Sequence, residues 1–178
     1  MNRINGFLIL FSFLLLSSAC GDSQNASDLK VKSKKEYREL MINSHKAYLD
    51  KERLLLDEYE DSIGLNFEKT GSGLRYSIYS SKGSQDSIQK GDIAVVNYTL
   101  TLISGDTAYQ SLPGQPQEFI VALDDVEAGL HEGIVKMAIG DKAILIIPAH
   151  LAHGVSGDQG VIPPQSPVVY DVELIGKK

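Results

Sequence analysis

The 178-residue chain predicts an α+β fold, an antiparallel sheet wrapped around one short helix with a long helix ahead of it. Three observations carry that expectation. "VVNYTLTL" and "VVYDVELI" alternate apolar and polar residues, as half-buried antiparallel strands do. "KAILIIP" is a continuous apolar run of strand length, suited to burial on both faces. "VEAGLHEGIVKMAIG" repeats apolar residues at helical spacing, with Val126, Leu130, Ile134 and Met137 on one face and Gly140 to end it.

The elements follow in chain order. "FLILFSFLLL", from Phe7, is too short to span a bilayer, which takes about 20 apolar residues, and suits the core of a secretory signal. It leads through "SSA" to Cys20, the only cysteine, so no intrachain disulfide can form. Small residues before a lone cysteine resemble a bacterial lipobox. That resemblance implies a signal peptide over 1–19, lipidation at Cys20, and a domain held on a membrane in the periplasm or at the cell surface. Residues 20–32 read as a polar tether. The formal charge of −6 argues against nucleic acid as a partner.

Residues 33–64 read as a helical arm. Ser33 and Glu36 make a capping box, and Gly64 suits the position just past the helix end. Tyr37, Met41, Ser44, Tyr48, Leu55, Tyr59 and Ile63 define one face, broken near Lys51 and Glu52. Such a helix packs on its own domain, spaces the domain from a membrane, or pairs with a second copy. The period changes after Gly64. Leu74–Tyr79 reads as a strand with Leu74, Tyr76 and Ile78 on one side, which puts the domain boundary between Gly64 and Gly73 and the domain at 72–178. In that domain Val96, Tyr98, Leu100 and Leu102 share a strand face, "SGDT" is a hairpin turn, "EFIVAL" a short strand, and Val168, Tyr170, Val172 and Leu174 point inward.

Four blocks, "KGDIAVVNYTLTLISGDTAYQS", "GLHEGIVKMAIGDKAILIIP", "LAHGVSGDQGVIPP" and "PVVYDVELI", stand in the order and spacing of an FKBP-type peptidyl-prolyl isomerase domain, which the chain resembles over about 72–176. With a lipobox and one N-terminal helix, it looks like the membrane-anchored isomerases associated with gliding motility. The resemblance implies an FKBP-like sheet around one helix, proline-containing polypeptides as substrates, and no cofactor or metal. It places Tyr98, Tyr109 and Tyr170 in an aromatic pocket, and His153 where the family has a tyrosine that donates to the peptide. Phe119 is a further wall, Val126 and Ile162 lie at the rim, Leu130 is the floor, and the Glu127 backbone N–H meets a substrate carbonyl.

Several positions depart from the family. Gln110 replaces an acid, Gln117 an aromatic, Glu127 an isoleucine, and Leu130 a frequent tryptophan. These departures imply reduced activity. They also open an alternative, a catalytically weak binding or chaperone module in envelope protein assembly. His150 and His153 are three apart but lack a third ligand nearby in sequence, so they are not expected to hold a metal.

Overall fold

The computed structural model describes residues 33–178; the signal segment, Cys20 and the tether lie outside the described residues. Helix α1 runs over Lys34–Ile63. Its start is fixed as the sequence indicates: Ser33 N–H donates to Glu36 Oε2 at 2.7 Å, and Glu36 N–H to Ser33 Oγ at 3.2 Å. Gly64 follows it at φ +69°. By its contacts the chain divides into two compact units between Asn43 and Ser44, inside the helix.

Within the second unit, residues 44–63 of α1 lie along the back of the sheet. The seated face keeps Tyr48, Tyr59 and Ile63 from the spacing but takes Leu56 in place of Leu55. Leu56 is buried and Leu55 is exposed, so the stripe runs Tyr48, Glu52, Leu56, Tyr59, Ile63. Glu52, which seemed to break the stripe, is part of it. Its buried carboxylate accepts the Ala149 N–H at 2.8 Å, and Tyr48 donates to the Gln165 carbonyl at 3.1 Å. Buried Arg75 answers the helix from the sheet, donating to Asp57 at 2.8 Å with Glu60 at 3.5 Å.

All strand pairs are antiparallel. They are β1 Glu68–Lys69, β2 Arg75–Ser80, β3 Ile93–Leu102, β4 Thr107–Gln110, β5 Gln117–Ile120, β6 Lys142–Ile147 and β7 Val168–Lys177. Their order is β1-β2-β6-β7-β3-β4, with β5 also on β3. The alternation works as expected in β3 and β7: Val96, Leu100, Val168, Tyr170, Val172 and Leu174 all enter one core, with Tyr98 and Leu102 packed against it. Strand β6 is buried on both faces. Ala143, Leu145 and Ile147 face that core, while Ile144 and Ile146 face the cluster around Leu56.

Helix α2 spans only Ala128–Ile134. It is shorter than the apolar spacing suggests, because the chain turns at Val135; Met137 is still buried, but from the turn that follows. Gly140, at φ +94°, belongs to a later turn. Gly129 and Gly133 let α2 lie close on β6, since an added Cβ would stand 2.4 Å from Ile147 Cγ2 and 2.6 Å from Leu145 Cδ1. Ile78, expected inward, is exposed near the end of β2, beside the register shift in its pairing with β6.

Candidate active site

The concave face of the sheet and the entry to α2 enclose a cavity of about 390 Å³. That lies within the range of small-ligand sites. Register builds its walls. Leu100 on β3 pairs with Tyr109 on β4 to one side and with Tyr170 on β7 to the other. Tyr98 lies two residues away on the same face, and its ring centroid is 5.5 Å from that of Tyr170. Asp125, Val126, Glu127 and Ala128 line it from the entry to α2, and Ala152 and His153 from the loop after β6.

Glu127 ties these walls together. Its carboxylate accepts the Tyr170 hydroxyl at 2.8 Å through Oε2 and faces His153 Nε2 at 3.0 Å through Oε1. Burial, then the Glu127 charge, pushes the Tyr170 hydroxyl well above the ordinary phenol range, and the same two causes raise Tyr98. Both hydroxyls therefore stay protonated and can donate. As the N-cap residue of α2 (φ −57°, ψ 136°), Glu127 keeps its backbone N–H outside the helix's own ladder.

Within the loop from Leu151 to Pro167, one acid fastens the turn that leads to Ile162. Asp158 accepts the Gly160 and Ile162 N–H groups at 2.8 Å each on Oδ1, and the Tyr109 hydroxyl on Oδ2. The Tyr109 hydroxyl first, then those N–H groups, holds the Asp158 carboxyl down to about 2. A pocket wall on β4 is thus strapped to the loop. Tyr109→Phe removes the strap, and the expected result is faster amide exchange at Gly160 and Ile162 with little change in global stability. Acid acts on the same device. With the folded value below the ordinary 3.8, the stabilisation is fully present above that value and is lost as pH falls through about 2. Unchanged exchange in Tyr109→Phe would remove the strap from the account.

Of the residues singled out from sequence, Tyr98, Tyr109, Val126, Glu127, His153 and Tyr170 line this one cavity. Phe119, Leu130 and Ile162 do not. They are 5%, 4% and 1% exposed and sit in the core behind it, Ile162 beneath the loop rather than at a rim. Phe119 meets His131 edge-on at 5.6 Å. His150 and His153 do not converge: His150 Nε2 lies 2.9 Å from the Ser72 carbonyl, whereas His153 faces Glu127. The sequence reading missed Leu100, Asp125, Ala128 and Ala152. Leu100 had a signal, since it shares the strand face of Tyr98; the others are placed by tertiary structure alone.

The comparisons show the family and the fold. A family model described as FKBP-type peptidyl-prolyl cis-trans isomerase matches residues 84–175. FK506-binding protein 2 of Dictyostelium discoideum is 39% identical over 89 residues, covering 49% of this chain and 67% of that protein. Peptidyl-prolyl cis-trans isomerase FPR2 of Saccharomyces cerevisiae is 39% identical over 90 residues, 49% of this chain and 67% of its own length. The crystal structure of FkpA from Escherichia coli superposes with a TM-score of 0.63 at 29% identity, over 83% of this chain and 74% of that one. The family match spans more than half of the sequence and falls on β3 to β7, α2 and the residues lining the cavity: this chain belongs to the FKBP-type peptidyl-prolyl cis-trans isomerase family.

Proposed function

We propose that this isomerase works at the cavity between Tyr98, Tyr109 and Tyr170, on exported polypeptides at a membrane surface to which Cys20 anchors it. The three-tyrosine cavity carries the first part of that reading. Isomerising an X–Pro bond makes and breaks no covalent bond; the barrier of about 18–20 kcal/mol is amide resonance. The site must favour the twisted amide over the planar one. The tyrosine rings, Val126 and Leu100 enclose the pyrrolidine ring and exclude water that solvates the planar amide. The Glu127 N–H donates to a carbonyl next to the proline and holds the chain in a turn. His153 Nε2 is engaged by Glu127, so Nδ1 is the ring nitrogen left for the peptide. Phe119, Leu130 and Ile162 act from behind, by fixing the walls.

The envelope role rests on sequence: the apolar run from Phe7, the small residues before Cys20, and the polar tether after it. A lipobox and one N-terminal helix ahead of this domain support a likeness to the lipid-anchored isomerases associated with gliding motility, with the domain in the periplasm or at the cell surface. Residues 33–43 of the helical arm offer a surface for pairing with a second copy.

A refolding assay limited by proline isomerisation, run on residues 21–178, tests the activity; no acceleration at micromolar protein would overturn it. Labelling with radioactive palmitate tests the anchor, which fails if label persists in Cys20→Ser. A binding role in envelope assembly is separated by complementation. A deletion strain rescued equally well by the Tyr98→Ala, Tyr170→Ala double variant would assign the cellular role to binding instead.

A further inference from the structure

We propose that the cavity selects prolines flanked by lysine or arginine, and that Glu127 and Asp125 set this preference. The inference rests on the reading of the cavity as the isomerase's peptide site. A cavity of about 390 Å³ is larger than a pyrrolidine ring needs, so a neighbouring side chain must share it. The permanent charges that side chain meets are both negative. Two carboxylates, Glu127 and Asp125, are among the lining residues, and no lysine or arginine is.

Glu127 is the stronger of the two. Its side chain is 9% exposed, so water does little to screen it. Its partners are a tyrosine hydroxyl and an imidazole. The hydroxyl satisfies part of the hydrogen-bonding capacity of the carboxylate without cancelling its charge. The field of Glu127 reaches both Tyr98 and Tyr170, whose hydroxyls it raises. Asp125 stands on the exposed approach, two residues before Glu127. A cation entering with the peptide therefore passes one carboxylate at the mouth and reaches a second within. Lysine has the flexible stem to lie along the tyrosine walls while its ammonium reaches these groups, and arginine adds a planar face that stacks on an aromatic ring. An acidic neighbour of the proline is repelled by both carboxylates.

The test uses the full chain and three short peptides that differ only before proline: Lys-Pro, Leu-Pro and Glu-Pro. Isomerisation is read by exchange NMR, and binding by titration of the same samples. At low ionic strength kcat/KM is expected about tenfold higher for Lys-Pro than for Leu-Pro, and lowest for Glu-Pro. The ratio shrinks at high salt as the screening length contracts. Asp125→Asn and Glu127→Gln each lower the Lys-to-Leu ratio several-fold. Turnover of Leu-Pro equal to that of Lys-Pro would overturn the preference and leave the isomerase site standing. If no peptide is turned over, the reading of the site fails and binding decides the preference. Tighter Lys-Pro binding that Asp125→Asn weakens supports it; equal binding overturns it.

Discussion

Gly157→Ala is expected to melt the site loop while the sheet survives, with a loss of about 2–5 kcal/mol. Two independent reasons add. Gly157 sits at φ +65°, ψ −166°, a region open in practice to glycine only. A Cβ there would stand 2.3 Å from the Ile162 carbonyl oxygen and 2.8 Å from the Pro163 carbonyl carbon. Both are backbone atoms, and the Ile162 oxygen accepts the Asp158 N–H, so neither can swing aside. The segment must open, and His153 and the Asp158 strap move with it. Thermal unfolding is expected about 4–20 °C lower, at roughly 2–4 °C per kcal/mol for a chain of this size. Amide protection at Gly160 and Ile162 is expected to vanish. Unchanged melting with intact protection would show that the loop has another way to close.

Tyr98→Ala carries the largest expected effect on catalysis. Tyr98 is half-buried, packs its ring against Tyr170, and faces the cavity. Truncation removes the apolar surface that closes on the proline ring, roughly 1.5–3 kcal/mol if the contact is made in the transition state. That corresponds to kcat/KM about 10- to 150-fold lower. Tyr98→Phe keeps the ring and is expected to stay within a few-fold, which separates the wall from the hydroxyl. The assay runs well below the melting temperature of each variant, because Tyr98 also packs against the main core. Equal loss in Tyr98→Phe and Tyr98→Ala would move the role from ring to hydroxyl; no loss in either would move the site elsewhere.

Much of the fold was legible because its determinants are local. Ser33 and Glu36 stand three apart and cap α1 by themselves, and the period-2 pattern assigns faces in β3 and β7 without knowledge of partners. Where a residue's partner is distant, the pattern misleads. Glu52 reads as a break in an apolar stripe until Ala149 arrives to satisfy it from 97 positions away. Leu55 and Leu56 are adjacent, and only the seat on Ile146 and Val169 decides which is buried. The cavity shows the same division. Alternation alone reads Tyr98 and Tyr170 as core; the family resemblance set them beside Tyr109 in one pocket, and Leu100 shares the strand face of Tyr98. The Glu127 side chain was not legible, because its partners Tyr170 and His153 are 43 and 26 residues away. Asp158 was not legible either, because its role depends on Tyr109, 49 positions back. Ile162 follows, since the turn that Asp158 fastens carries its side chain into the core.

Strand β6 gives up both of its faces, one to the layer that carries the site and one to the helix. Its Ile144 and Ile146, with Val169 beside them on β7, form a greasy back that this chain tolerates only because α1 covers it. The cover is therefore written into the sheet as well as into the helix. That gives a marker for sorting relatives. A chain with this sheet but no preceding helix is expected to carry polar residues at the positions of Ile144, Ile146 and Val169. One that keeps them aliphatic has some other element over the same spot.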